Sequence, residues 1–131
     1  MGIISVALAV NARRAEKIVI DFACDSGAQV GDLVYADTVT DNKVIPLVNN
    51  TSVRHVIGVI QGKQQPTVAE VLLLGTLDGF SGLTKGYKVW VSPSGTPTTT
   101  KPTSGYLHQV GTAISSTEIL FVSNQIRTKL V

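Results

Sequence analysis

Residues 68–92 read VAEVLLLGTLDGFSGLTKGYKVWVS, an apolar run, a glycine-punctuated stretch and a second apolar run. The first run is nearly uninterrupted over 68–74, consistent with a strand buried on both faces, while 88–91 alternates, with Trp90 as the largest anchor in the chain. Asp78 and Gly79 form a hairpin dipeptide, although the small residues that continue to Gly86 predict a longer turn than the tightest kind. No sustained period of 3.6 residues with good caps occurs between Lys17 and Val122, so the chain reads as all-β.

The same stretch meets a weaker copy of itself. Ser26, Gly27, Gly31, Val34 and Tyr35 recur 55 positions later as Ser81, Gly82, Gly86, Val89 and Trp90, both copies reading S-G-x-x-x-G-x-x-V-aromatic. His55 and Gly58 recur 53 positions on as His108 and Gly111, and Glu70 with the VLLL that follows it is echoed by Glu118 with ILFV. A fainter echo is Glu16 and Lys17 before IVID. Open arrays generally need three or more units to bury a core, so two copies point to pseudo-twofold closure, each half covering the apolar face of the other.

Working outward, Ile18–Ala23 is a β-branched strand ended by Asp25, Ser26 and Gly27. Further strands are expected over 29–36, 43–47 and 53–60, the last interrupted by Gly58, where a bulge or a close backbone approach is predicted. Residues 62–66 read as a loop, 96–104 as an extended threonine-rich loop, and 106–114 and 118–122 as the last strands. The apolar run in 1–10 is too short to span a bilayer and reads as a first strand or an arm, with a short helix over 11–17 as the competing reading. The tail from 124 to 131 ends basic and apolar, either frayed or docked on another chain. The expected architecture is a single-domain β-sandwich or small β-barrel of eight to ten short strands, with an internal duplication and extended termini. Residues 1–15 form the strand or arm, 16–123 the duplicated body (halves about 16–75 and 70–123), and 124–131 the tail.

Composition bounds the chemistry. Charged residues are 15% against 44% hydrophobic, and so sparse a charge implies that part of the surface is covered by something else. Residues 1–83 carry six basic and eight acidic groups, residues 84–131 five and one, a gradient able to orient identical subunits. Cys24 is alone, so no intrachain disulfide forms, and it reads as a buried inert thiol. His55 and His108 occupy equivalent positions in the repeat, which favours a shared structural role over catalysis or a paired metal site. Asp32, Asp37 and Asp41 lack the ligand spacing of a calcium loop and read as turn acids. Tyr87, Lys88 and Trp90 come nearest to a stacking platform for single-stranded nucleic acid, but aromatics are 5% of the chain. The expectation is therefore no enzyme, no catalytic, cofactor-binding or metal-ligating residue, no cofactor, no nucleic acid and no membrane.

The run of short modules GDLVY, GVIQG, GYKVWVSPSG and VGTAISSTEILFV, over roughly 27–123, resembles small virion proteins of tailed bacteriophages. It is most similar to head decoration, or cement, proteins. The resemblance implies a compact β domain, made in the bacterial host cytoplasm and assembled, as a homotrimer, on the capsid exterior, where it bridges subunits of the major capsid protein. Residues 3–10 and 126–131 would then supply contacts to neighbouring subunits or coat. The competing readings are a tail or fibre structural protein, and a carbohydrate-binding or small-ligand-binding β domain in which Trp90 and Tyr106 beside the 94–106 loop would be recruited.

Overall fold

The computed structural model describes residues 17–51, 54–122 and 127–129. Its strands are β1 (Ile18–Ala23), β2 (Leu33–Ala36), β3 (Val44–Pro46), β4 (Gly58–Gln65), β5 (Val68–Leu77), β6 (Lys88–Val91), β7 (Pro97–Thr98), β8 (Tyr106–Ala113), β9 (Ile119–Val122) and β10 (Arg127–Lys129). They form one strongly curled antiparallel sheet, a half-barrel, with no helix among the described residues. The arm over 1–15 lies outside the described residues.

The order along the sheet is β3-β2-β4-β5-β9-β8-β6-β7, so each half, read outward from the central β5–β9 pair, repeats one plan: β5-β4-β2-β3 and β9-β8-β6-β7. The registers repeat with it. Leu33 opposite Val59 and Val34 opposite Gly58 recur as Lys88 opposite Thr112 and Val89 opposite Gly111. Val59 opposite Leu72 and Ile60 opposite Val71 recur as Thr112 opposite Leu120 and Ala113 opposite Ile119. The sequence offsets of 55, 53 and 48 residues are thus offsets between equivalent strands. β1, which pairs with β5, and β10, which pairs with β8, stand outside this correspondence.

The glycines of the repeat explain why it is visible in the sequence. Gly31 and Gly86 take φ of +96° and +86°, a region that a Cβ disfavours. In that conformation the Gly31 N–H donates to the Ile60 carbonyl (2.8 Å) and the Gly86 N–H to that of Ala113 (2.7 Å). The N–H groups of Ile60 and Ala113 donate back to the carbonyls of Asp32 and Tyr87 at 3.0 and 2.9 Å. Gly58 and Gly111 act through space instead. A Cβ on Gly58 would strike the Leu72 carbonyl oxygen, and one on Gly111 that of Leu120.

Where the offset shrinks, the structure shows the loss. The β2–β3 and β6–β7 turns close with the same bond, Asp37 N–H to the Lys43 carbonyl (2.9 Å) and Ser92 N–H to that of Thr96 (2.7 Å), but the second turn is two residues shorter. The β4–β5 hairpin runs on through 61–70, opposite only 114–118 in the other half, and Asp21, Phe22 and Ala23 of β1 pair along this longer arm.

Several expected boundaries are corrected. Residues 62–65 are strand, not loop, because β4 continues through two register shifts to a turn at Pro66 and Thr67. Residues 54–57 are not strand, and β2 begins at Leu33 because the positive φ of Gly31 breaks the extended backbone before it. Asp78 and Gly79 do not close a hairpin. β5 and β6 are not neighbours, and the 78–87 connection instead lies against the β8–β9 turn, with Phe80 and Leu83 N–H donating to the carbonyls of Thr117 and Ser116. The tail, in its described part, is a strand on the chain's own sheet rather than frayed or docked elsewhere.

Two apolar clusters form the core. The larger gathers Leu33, Val59 and Leu72 of the first half with Val89, Ala113, Ile119 and Phe121 of the second. The smaller lies within the first half around Val34, Val44, Ile60, Ala69 and Val71, with Cys24 and Ala28. β5 serves both, since successive side chains point to opposite faces. The two halves do not contribute equivalent faces to the larger core. The counterparts of the buried Leu33, Val59 and Leu72 are Lys88, Thr112 and Leu120, which are exposed or half-exposed.

The segment 47–50 clasps the halves together. Gly95 (φ +85°) lies against the Leu47 carbonyl, and Gly105 (φ +79°) against the side chain of the buried Asn50. Asn50 donates from Nδ2 to the Ser104 carbonyl at 2.8 Å, and its main-chain carbonyl accepts the Tyr106 N–H at 2.8 Å.

Candidate interaction surface

The feature that sequence patterning does not reveal is an apolar row at the middle of the sheet. Ile18 is the cross-strand partner of Leu74, and Leu74 of Val122. Directly opposed residues present their side chains on one face, so β1, β5 and β9 each add one apolar group to the same row. Leu120, two residues from Val122, shares that face. These side chains are open to solvent: Ile18 51%, Leu74 41%, Val122 39% and Leu120 37%. Ile20 on β1 is exposed as well (44%), and Val30, Val39, Val48 and Tyr87 are exposed outside the strands. Scattered apolar residues are ordinary on a protein surface, whereas large contiguous apolar patches are the ones found at interaction sites.

The polar residues singled out in the sequence are dispersed. His108 is 2% exposed on β8, its ring 6.2 Å from that of Tyr106, while His55 is exposed in the stretch before β4. The shared structural role expected of these two imidazoles therefore does not hold, because His108 is buried and His55 is exposed. Asp32 accepts the Gln29 N–H at 2.8 Å and Asp37 the N–H groups of Thr40 (3.2 Å) and Val39 (3.4 Å), each closing its own turn. Desolvation pushes the Asp37 carboxyl up, but the N–H groups of Thr40, Val39 and Thr38 and the Lys43 ammonium outweigh it, leaving the pKa below the ordinary value. Lys43 is raised chiefly by its bond to Asp25, an ion pair of 2.8 Å. Asp78 is lowered by the Gly79 N–H and then by the Thr117 hydroxyl.

Cys24 is buried, its thiol 3.7 Å from the Pro66 carbonyl. Trp90 is half-buried on β6, between the fully buried Val89 and Val91, on the face opposite to theirs. Tyr106 is half-buried as well. Among the described residues no three His, Cys, Asp or Glu side chains stand together as a metal would require. Two open recesses of about 430 Å³ occur, one bounded by Phe22 and the 36–43 turn, the other by Val30, Asp32, Phe80 and Pro97. Neither holds an imidazole or a thiol. The sequence matches no protein-family model and no curated protein. No helix among the described residues is long and apolar enough to cross a membrane.

Proposed function

We propose that this protein is a non-enzymatic structural component of a phage virion, decorating and stabilising the capsid exterior by bridging subunits of the major capsid protein, and self-associating as a homotrimer. The observation that carries the reading is the exposed row of Ile18, Leu74, Val122 and Leu120 on a body cross-tied by paired strands. Apolar side chains held on strands lose little conformational freedom when a partner covers them, which suits a part whose task is to hold neighbours in place. The modular likeness to decoration proteins over 27–123 points the same way. Residues 3–10 join the row as the contact to coat or neighbour. Residues 126–131 share that role, 127–129 as a strand paired with β8.

Antibody raised against the purified protein, applied to particles from the source lysate and viewed by electron microscopy, tests the reading. Dense labelling of the head, at a copy number comparable with the capsomers, is the expected result. Labelling confined to the tail would select a tail or fibre component instead, and absence from particles would overturn both virion readings.

A further inference from the structure

An exposed strand edge is a template on which another chain can pair, and proteins blunt the edges they do not use with proline, charge or short length. The edges of this sheet differ in that respect. β3 and β7, at its two ends, are three and two residues long and hold Pro46 and Pro97, while β10 holds Arg127 and Lys129 within three residues. β1 is six residues long, IVIDFA, with no proline and one charge. Among the described residues it pairs with β5 alone, apart from one bridge where Ala23 meets Lys43. There the Ala23 N–H donates to the Asn42 carbonyl at 2.9 Å, on the side away from β5. Backbone groups alternate in direction along an antiparallel strand, so those of Asp21 and Val19, and of Lys17 just before β1, point to that same outer edge.

This edge is complementary to itself. Laid antiparallel on a second copy with Val19 opposite the partner's Val19, it sets Lys17 opposite the partner's Asp21 and Asp21 opposite the partner's Lys17. All three outward-pointing residues then fall in hydrogen-bonded pairs, and both charges meet an opposite one. On the other face Ile18 stands opposite the partner's Ile20, and Ile20 opposite the partner's Ile18, the two side chains being 51% and 44% exposed. Neighbouring registers are poorer. Centred on Ile20, the pairing sets Asp21 opposite Val19 and Lys17 opposite Ala23, whose N–H is already bonded to Asn42. Centred on Asp21, it opposes two carboxylates.

We propose that two copies of the protein join edge to edge through β1, antiparallel about a two-fold axis at Val19, into one continuous sheet. The contact joins copies two at a time, is separate from the contacts within a trimer, and holds whether or not the protein decorates a capsid.

Disulfide trapping of the full chain tests it. Ile18→Cys and Ile20→Cys both alter exposed positions, and Cys24 is buried, with the native chain as the control for it. In a mixture of the two variants the new thiols stand directly opposite, about 4.5 Å apart at Cα. In either variant alone the equivalent positions are diagonal neighbours about 7 to 8 Å apart, beyond the reach of a disulfide. Mild oxidation should therefore yield cross-linked dimers at least about tenfold faster in the mixture than in either variant alone. Adding Asp21→Lys to both variants sets lysine against lysine at both ends and should slow trapping about tenfold, and adding Lys17→Asp to those chains should restore it. Equal rates in the mixture and in the single variants would overturn the proposal, as would trapping indifferent to the charge swap. Absence of dimers from the mixture would overturn it too, assigning the edge to solvent or to the chain's own residues.

Discussion

Replacing Gly111 by alanine should weaken the second half of the sheet more than any surface change of the same size. The added Cβ would meet the Leu120 carbonyl oxygen, with the Leu120 carbonyl carbon at 3.0 Å and the Phe121 Cα at 3.2 Å. All three are backbone atoms of β9, so no side chain can swing aside, and β8 must separate from β9 along the Gly111–Phe121 register. Forcing one extra carbon into packed structure costs about 1 to 3 kcal/mol, and contacts with backbone place Gly111→Ala toward the upper end. With a urea slope of about 1.5 kcal/mol/M, a loss of about 2 kcal/mol lowers the unfolding midpoint by about 1.3 M. Gly58→Ala should show a similar loss, since it meets the Leu72 carbonyl oxygen and Val71 Cγ1 at 2.7 Å. Gly27→Ala is the control, because nothing lies within 4 Å of its Cβ position and its φ is not positive. It should be neutral or gain a few tenths of a kcal/mol through the unfolded chain. Urea titration followed by circular dichroism reads all three. A Gly111→Ala midpoint equal to that of the native protein, or a Gly27→Ala loss as large as that of Gly111→Ala, would refute the reasoning.

Asn50→Ala removes the bond from a buried side chain to the Ser104 carbonyl, so a loss of about 0.5 to 1.5 kcal/mol is expected by thermal or urea unfolding. Asp37 and Asp78 both titrate below the ordinary carboxylate value, so each contributes stability that is complete above the unfolded pKa and is lost as pH falls through the folded one. Asp37→Asn should therefore flatten the fall in melting temperature below about pH 4 and leave the slope near neutrality unchanged. Leu74→Lys with Val122→Lys alters two exposed side chains, so the unfolding free energy should move by only about 0.5 kcal/mol each. Occupancy on particles, read by gel densitometry, should nonetheless fall at least about tenfold if the row is the binding face.

Much of the architecture was legible because the same backbone need arises twice. Gly31 and Gly86 require a positive φ, Gly58 and Gly111 require the absence of a Cβ, and such needs leave the residue type visible across a spacing of more than 50 positions. What the sequence hid was partnership. Asp78 and Gly79 have the chemistry of a tight hairpin, but the strands on either side pair with β9 and β8 instead of with each other, and local turn propensity carries no information about that. Residues 63–65 are polar and lie between Gly62 and Pro66, so 62–66 reads as loop, although pairing with β5 and the reach of Lys63 Nζ to the carbonyls of Ala28 (2.7 Å) and Ser26 (3.2 Å) hold 62–65 extended. The exposed apolar row was hidden for the opposite reason. Leu74 closes an apolar run whose Val71 and Leu72 are fully buried, and nothing in residue type separates it from them.

The equivalence of the halves meets at one pair. Leu74 and Val122 are counterparts under the 48-residue offset, and they are also each other's cross-strand partner, so the pseudo-axis of the fold passes between them. In an assembly of two identical units every counterpart pair must share an environment, because symmetry allows no other arrangement. Joining the units in one polypeptide lifts that obligation. Position 33 can hold a leucine facing the interior while its counterpart at 88 holds a lysine facing water. The same folding plan thereby buries one member of a counterpart pair and exposes the other, which a symmetric dimer of one unit could not do.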